Sequence, residues 1–312
     1  MSIEGTITLF GEDNNGIKLL GFLGGIIVLG ITCFIDDCRG ITPLKKLAGQ
    51  LIAAIIVVYS GVRIENLNLP FFNEIWLNYT FSIILTLGWI IGITNAINLI
   101  DGLDGLSSGI GIISCLSLLI IFSLNNSPLI AIIAVTALAG ALIGFIPFNF
   151  NPAKTFIGDT GSNFLGFSLA VISILGIAKT YTAIVIVAPL IVLGLPVFDT
   201  LFAIVRRIVT GKSLKAIVQP DKKHLHHRLM ARGYSQKQSV LILYAISATF
   251  GMSAVILLDS GIWKALSFLV MVIVVVAIGY KNLFKFKESE NEEVEKKDDW
   301  FAYAHLIFWR NL

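Results

Sequence analysis

Six aspartates of this 312-residue chain stand at or near those ends of apolar segments that are expected on one side of a membrane. An ionised carboxylate at bilayer depth costs about 2.5–3.5 kcal/mol or more, so such groups should face a bundle interior or a wet cavity. For a single aspartate, a helix boundary is the simpler explanation. Several carboxylates in one cavity repel one another, and a divalent cation removes that repulsion. Oxygen ligands without paired cysteines favour Mg²⁺, or else Mn²⁺, over zinc. The six are Asp36, Asp37, Asp101, Asp104, Asp159 and Asp199.

The first motif is FIDDCRGITPLKKLAGQ, in which an acidic pair precedes a lysine and a glutamine. Lys46 and Gln50 are four residues apart, so they share one helix face. Asp36 and Asp37 would end one helix, and Lys46 would begin the next. This predicts a metal or nucleophile site with a phosphate-binding lysine. The alternative is a solvated turn whose lysines mark the cytoplasmic membrane surface.

The second motif is TNAINLIDGLDGLSSG, which places two amides and two acids within ten residues. Asn95 and Asn98 lie about one helical turn apart, and Asp101 and Asp104 are each followed by a glycine. Glycine lets the backbone approach a ligand closely. Asparagine in a membrane helix often only bonds a neighbouring helix. So many polar groups in an apolar stretch nevertheless favour a binding site.

The third motif, FNFNPAKTFIGDTGSNFLGF, contains Lys154 and Asp159 ahead of a helix that is expected to begin near Ser162. The free N–H groups and the positive dipole end of a helix N-terminus attract anions. An aspartate beside such a terminus suits a diphosphate bound with Mg²⁺. The alternative is a simple N-cap at Ser162 or Thr160.

The fourth motif, QPDKKHLHHRLMARG, holds three of the four histidines of the chain and an arginine. His224, His226, His227 and Arg228 could contact diphosphate or sugar hydroxyls beside the carboxylates. A zinc site is the weaker interpretation, because no cysteine or second histidine pair completes it. The remaining alternative is an ordinary surface loop.

The composition indicates which elements position these motifs. Apolar residues make up 56% of the chain, charged residues only 14%, and the mean hydropathy is +0.85. Soluble domains carry about 25% charged residues, so a soluble globule is excluded. We expect an all-α, polytopic membrane helix bundle in the lipid bilayer, since spanning helices need about 20 apolar residues. The nine predicted spans are residues 16–35, 47–63, 80–98, 107–124, 128–147, 163–180, 183–205, 239–258 and 261–280.

The distribution of basic residues predicts the orientation of this bundle. Nineteen of the 23 Lys and Arg residues fall on one side of the nine spans. By the positive-inside rule that side is cytoplasmic, with the N-terminus outside and the C-terminus inside. The six aspartates lie on the same side, so the active site is expected to face the cytoplasm. Residues 281–312 are predicted to form a charged cytoplasmic tail with an aromatic C-terminal segment. A net charge of +3 gives no indication of a nucleic-acid partner.

Together the four motifs resemble the polyprenyl-phosphate N-acetylhexosamine-1-phosphate transferases of glycosyltransferase family 4. Asp36–Asp37 with Lys46 and Gln50, NAINLIDGLDGL, NPAKTFIGDTGSNFLGF, PVFDT and HLHHRL look like the elements of that family, in order. The HLHHRL segment is similar to the branch that uses UDP-N-acetylglucosamine or related UDP-sugars. The resemblance implies transfer of N-acetylhexosamine-1-phosphate, foremost GlcNAc-1-phosphate, from a UDP-sugar to undecaprenyl phosphate with release of UMP. That reaction would be the first membrane step of a cell-surface glycan pathway in the cell membrane.

The resemblance also implies roles for the motif residues. Asp159 and Asn98 would hold Mg²⁺. Asp36 and Asp37 would orient or deprotonate the lipid phosphate, or assist the metal, and Asp101 and Asp104 would line the nucleotide pocket as catalytic groups. The implied substrate-binding residues are Lys46, Asn95, Lys154, His224, His226, His227 and Arg228.

One departure from the family pattern leaves alternatives open. Members of the family usually carry two further helices before the acidic pair, whereas Asp36 here follows a single span. Residues 1–280 are therefore expected to form a transmembrane transferase domain without those two helices. The alternatives are a truncated, inactive UDP-sugar-binding homologue and a membrane transporter. Transporters place polar residues near the bilayer midplane, which this pattern does not do. The oligomeric state, including a homodimer, stays open.

Overall fold

The structure is a computed structural model that describes residues 14–67, 75–177, 183–211, 224–260 and 264, all within one compact unit, residues 1–265. Helices dominate the described residues and lie beside one short hairpin. The helices are α1 Asn15–Arg39, α2 Pro43–Tyr59, α3 Tyr79–Ile100, α4 Leu106–Leu124, α5 Leu129–Asn149, α6 Gly158–Ile177, α7 Ala183–Val192, α8 Gly194–Gly211, α9 Leu225–Ala231 and α10 Gln236–Ser260.

Most of the predicted spans coincide with one of these helices. The first six correspond to α1 through α6 and the eighth to α10. The seventh, 183–205, is instead two helices, α7 and α8, which meet at Leu193. The ninth, residues 261–280, and the tail, residues 281–312, lie outside the described residues except Lys264.

Five described helices are long and apolar enough to cross a membrane: α1, α3, α4, α5 and the Gln236–Leu257 part of α10. The chain is therefore a multi-pass membrane protein with an all-helical bundle. A count of nine spans and the orientation of the termini stay predictions.

A short antiparallel hairpin follows α2. Strand β1, Asn66–Leu67, pairs with strand β2, Ile75–Trp76, with Asn66 opposite Trp76. Beside it, Arg63 forms an ion pair with Glu65 at 2.9 Å and lies over the Tyr79 ring. Arg63 and Glu65 come after the C-terminal end of α2, whereas Lys46 lies near its N-terminal end.

The site depends on close packing around α6, which contacts α1, α3, α4 and α5. Gly166 lies so near the α3 backbone that a Cβ there would be 2.8 Å from Thr94 Cα. Small residues allow such close approach of membrane helices. The side chains of Phe122, Phe167 and Leu169 are fully buried in this core. The firm contact between α3 and α6 fixes the polar ends of both helices relative to each other.

Candidate active site

A lysine connects two of the predicted acidic motifs. Lys46, in the first turn of α2, donates to Asp159 Oδ2 at 2.5 Å, and its Nζ lies 3.3 Å from Asp36 Oδ2. The Lys46 side chain is 15% exposed, whereas that of Asp159 is 55% exposed. The Lys46 ammonium group is therefore largely shielded from solvent, whereas the Asp159 carboxylate is open to solvent. An anion or cation can reach Asp159 from outside.

The acidic pair is oriented by the chain that follows it. Gly40 ends α1 with φ of 62°, and the turn brings the Ile41 N–H to Asp36 Oδ1 at 2.9 Å. Asp37 accepts a 2.5 Å hydrogen bond from the Thr160 hydroxyl. Asp37 therefore contacts the start of α6 directly, whereas Asp36 reaches it through Lys46.

The helix that carries Asp159 begins earlier than predicted. Helix α6 starts at Gly158, so Asp159 lies in its first turn rather than ahead of it. The Ser162 hydroxyl donates to the Gly158 carbonyl at 2.9 Å, and Thr160 donates to Asp37. Neither residue is an N-cap, and the capping alternative is wrong. A carboxylate in the first turn also benefits from the positive end of the helix dipole.

Side-chain amides form two groups of hydrogen bonds near Asp159. Asn98 Nδ2 lies 3.3 Å from Asp159 Oδ1 and donates to Ser162 Oγ at 2.9 Å. Beneath it, Gln50 donates to Asn163 Oδ1 at 2.7 Å and accepts from Asn95 Nδ2 at 2.8 Å. Asn95 was predicted to bind substrate, and in the structure it belongs to this network between helices. The network joins α2, α3 and α6 directly under the charged cluster.

Asn163 was not singled out from the sequence. Its Nδ2 donates to the Asp159 carbonyl at 2.7 Å and its Oδ1 accepts from Gln50. Both the residue and its partner are buried. The spacing of four from Asp159 on the same helix was the available indication, since such residues lie one turn apart.

The two aspartates of the second motif have different surroundings. Asp101 caps the end of α3 and accepts from the buried Ser107 hydroxyl at 2.6 Å. Burial raises the pKa of Asp101 to about 6, against the lowering effect of that hydrogen bond, and the charge of Asp159 adds to the rise. Asp104 Oδ2 instead accepts from Asn151 Nδ2 at 2.9 Å and from the Ala153 N–H at 3.2 Å. Asp104 thereby holds the loop that leads to α6.

Lys154 lies in that loop and is exposed, while its N–H donates to the Phe148 carbonyl at 2.7 Å. The structure thus places this predicted substrate-binding lysine at the surface between α5 and α6.

The histidine motif forms the short helix α9 and lies against the second motif. His226 is buried, and the His224 and His227 ring centroids lie 6.0 Å and 4.2 Å from its own. A Cβ on Gly102 would be only 2.2 Å from His226 Nε2, so the glycine admits the ring. Arg228 is exposed, with its guanidinium 5.8 Å from the Phe202 ring centroid. The surface-loop alternative is therefore wrong for His224 and His226.

The charges of the cluster depend on one another. Burial alone would lower the pKa of Lys46, but hydrogen bonds and charges of Asp159 and Asp36 outweigh it and raise that pKa. Burial alone would raise the pKa of Asp159, but Lys46 and the Asn98 amide lower it. Around neutral pH the lysine is therefore charged and Asp159 is ionised. Asp36 and Asp159 both contact this one ammonium, so the cluster contains more carboxyl groups than basic groups.

The donor chemistry of the cluster fits a hard divalent cation. Its carboxylate oxygens come from Asp36, Asp37 and Asp159, and carboxylates are ligands that Mg²⁺ prefers, whereas Asn98 turns its NH₂ group toward Asp159. Within the part of the chain that the structure describes, no group of three or more His, Cys, Asp or Glu side chains could hold a metal alone. Mg²⁺ is usually bound by one or two carboxylates together with substrate phosphates and water. These carboxylates could therefore hold Mg²⁺ only together with further oxygen ligands from water or a phosphate.

Comparison with known proteins gives consistent matches. A family model described as "Glycosyl transferase family 4" matches residues 19–177. A Bacillus subtilis (strain 168) protein named "Probable undecaprenyl-phosphate N-acetylglucosaminyl 1-phosphate transferase" is 42% identical over 254 residues, covering 80% of this chain and 68% of its own. The decaprenyl-phosphate N-acetylglucosaminephosphotransferase of Mycobacterium leprae is 38% identical over 244 residues, covering 71% and 60%.

A more distant match has a different transferred group in its name. The phospho-N-acetylmuramoyl-pentapeptide-transferase of Halalkalibacterium halodurans is 34% identical over 248 residues, covering 74% of this chain and 71% of its own. The chain thus spans between 60% and 71% of the length of these three relatives.

Proposed function

The chain belongs to glycosyl transferase family 4, and from this premise we propose that it transfers N-acetylglucosamine-1-phosphate from UDP-N-acetylglucosamine to undecaprenyl phosphate. An oxygen of the lipid phosphate attacks the sugar-linked phosphorus of the donor. The bond between the two phosphates of the donor breaks and UMP leaves. The product is a lipid-linked diphosphosugar.

The observation that supports this most strongly is the position of Lys46 between Asp36 and Asp159. A fixed ammonium beside ionised carboxylates at a helix start can hold a diphosphate and an acceptor phosphate together. Phosphoryl transfer needs mainly such positioning and charge neutralisation. An arrangement for transport would place these groups near the middle of the spans.

Mg²⁺, or Mn²⁺, is the cofactor that we propose for this site. Asp159 and Asn98 would hold it, with Asp36 and Asp37 beside them. When bound, the ion would neutralise negative charge on the diphosphate and on the leaving UMP.

The residues of the chain have separate tasks in this proposal. Lys46 binds a phosphate oxygen, and Asp36 and Asp37 orient the acceptor phosphate or accept its proton. Asp101 lines the nucleotide pocket, and Asp104 supports the wall of that pocket through its bonds to Asn151 and Ala153. His224, His226, His227 and Arg228 bind the sugar or the diphosphate, and the three histidine rings lie next to one another.

We also propose that the site opens to the cytoplasm in the cell membrane. UDP-sugars are cytoplasmic nucleotides, whereas the polyprenyl acceptor requires access from the lipid. The excess of Lys and Arg on the side of the six aspartates supports the same orientation.

The proposal is tested with the purified chain in detergent or vesicles that contain undecaprenyl phosphate. UDP-N-acetylglucosamine labelled with ³²P at its sugar-linked phosphate is supplied with MgCl₂. We expect label in the lipid fraction and equimolar UMP, dependent on both the acceptor and Mg²⁺. Release of UDP would show transfer of the sugar alone, and unlabelled lipid would contradict the proposal. UDP-N-acetylmuramoyl-pentapeptide serves as the comparison donor.

A further inference from the structure

A buried aspartate and histidine pair joins α8 to the start of the histidine motif. His224 Nδ1 and Asp199 Oδ2 are 2.8 Å apart, and their side chains are 5% and 4% exposed. Asp199 belongs to α8, and His224 immediately precedes α9, so the pair connects two elements that are 25 residues apart. A carboxylate rarely becomes this buried unless its oxygens are satisfied.

Both oxygens of Asp199 have partners. Oδ2 faces the His224 ring and Oδ1 accepts from the Leu225 N–H at 2.9 Å. An ionised carboxylate only accepts hydrogen bonds, so a histidine that pairs with one carries a proton on the facing ring nitrogen. The contact therefore favours the tautomer of His224 with its proton on Nδ1. Nε2 is the ring nitrogen that remains for other partners.

The pair also sets the position of the histidines that follow. The His224 and His226 rings are nearly parallel, with an angle of 4° between their planes. His226 then lies against Gly102, next to Asp101 of the second motif. An anchored start of α9 therefore determines where the His226 ring meets that motif.

We propose that Asp199 is a positioning residue, which holds His224 in the Nδ1–H tautomer so that Nε2 hydrogen-bonds with the donor substrate. This inference rests on the proposed function, in which His224 binds that substrate. The competing explanation is that Asp199 anchors α9 without regard to the tautomer.

An Asp199→Asn variant separates the two explanations. The Leu225 N–H is a donor, so the Asn Oδ1 must remain opposite it. The amide NH₂ then faces His224 Nδ1 and donates to it, which moves the ring proton to Nε2. The contacts of residue 199 with Leu225 and His224 are retained, while the ring proton of His224 moves from Nδ1 to Nε2. A purely structural role predicts unchanged activity.

The experiment combines kinetics and NMR on the full chain. ¹⁵N-histidine spectra, assigned with a His224→Gln variant, should show Nδ1–H for His224 in the wild type and Nε2–H in Asp199→Asn. We expect kcat for UMP release to fall about 10- to 100-fold in Asp199→Asn, the range known for partners that orient metal-binding histidines. The midpoint of thermal unfolding should change little. Adding Asp199→Asn to His224→Gln should cause no further loss, since Asp199 acts through that ring.

Three results would overturn the inference. They are wild-type kcat in Asp199→Asn, an Nε2–H tautomer in the wild type, or a further large loss in the double variant. If the wild type releases no UMP at all, the proposed function fails by itself. The tautomer of His224 then still decides whether Asp199 positions the ring.

Discussion

Lys46 Nζ and Asp159 Oδ2 lie 2.5 Å apart although 113 residues separate them in the chain. The contact joins the first turn of α2 to the first turn of α6. Asp36, at the end of α1, lies on the other side of the same ammonium. Three helix ends therefore share one cation, and a change at any of these residues alters the charge that the other two experience.

Asp159→Asn removes one negative charge from this cluster while it keeps the shape of the side chain. We expect UMP release to fall by about 100-fold or more, the size of effect that loss of one preorganised electrostatic contact produces. The measurement is kcat for UMP release at saturating MgCl₂. Glu65→Gln is the matched control, because Glu65 is an exposed partner of Arg63 beyond the far end of α2. Comparable loss in both variants would contradict a specific role of Asp159.

Lys46→Gln removes the ammonium and leaves Asp36 and Asp159 facing each other. We expect kcat/KM to fall by about 100-fold, since a phosphate loses its fixed cation. The adjacent Lys45 is exposed, so Lys45→Gln provides a neighbouring control with the same change of charge. Equal rates for the two variants would show that Lys46 acts only through the net charge of the surface.

Gln50→Met tests the buried amide network under the cluster. The variant keeps the length of the side chain but leaves the Asn95 and Asn163 amides without this partner. An unsatisfied buried polar group costs roughly 1–3 kcal/mol, so we expect a lower midpoint of thermal unfolding in detergent. Thr136→Val is the control, since exposed Thr136 bonds only its own helix among the contacts of the described residues. A midpoint unchanged in Gln50→Met would argue against the network as a stabilising element.

Gly102→Ala tests the contact between the second and fourth motifs. The new methyl group would be 2.2 Å from His226 Nε2, so the histidine must move away. We expect KM for the UDP-sugar to rise and kcat to fall, with little change in folding. At Gly88, on the same helix as Asn95, an added Cβ meets nothing within 4 Å. Gly88→Ala should therefore behave as the wild type, and similar kinetics for both variants would refute the contact.

The protonation of His226 is set by its surroundings. Burial, together with His227 and His224, lowers the pKa of His226 to about 4, although Asp199 opposes this. In the unfolded chain His226 binds a proton near pH 6.5, whereas in the folded chain it does so only near pH 4. The free energy of unfolding therefore decreases as pH falls from about 6.5 to 4, by up to about 3 kcal/mol. Thermal unfolding at pH 7 and pH 5 should show a smaller difference for His226→Gln than for the wild type. NMR titration of His226 with a midpoint of 6 or above would contradict the prediction.

Much of the fold follows from local properties that the sequence displays. Long apolar stretches must become helices in lipid, because backbone groups need internal partners there. Helices α1 and α3 to α5 lie close to their predicted ranges for that reason. The division of residues 183–205 at Leu193 was not predicted, since no polar residue interrupts the apolar stretch at that point. The β1–β2 hairpin was also missed, because two-residue strands have too few residues to show alternation.

The sequence by itself determined which residue types were available for chemistry and that they lie at the ends of membrane helices. The free-energy cost of burying a charged side chain in lipid places these residues at the helix ends, and that cost depends on one residue and its immediate neighbours. Only the tertiary structure decided which groups pair: Lys46 with Asp159, Gln50 with Asn163, Asp104 with Asn151, and Asp199 with His224. These partners come from different helices and loops, and their distances depend on how closely the helices pack. The residues around glycines such as Gly166 do not show which helix will pack closely against them. The hydrogen-bond partners could therefore not be predicted from the spacing of residues in the sequence.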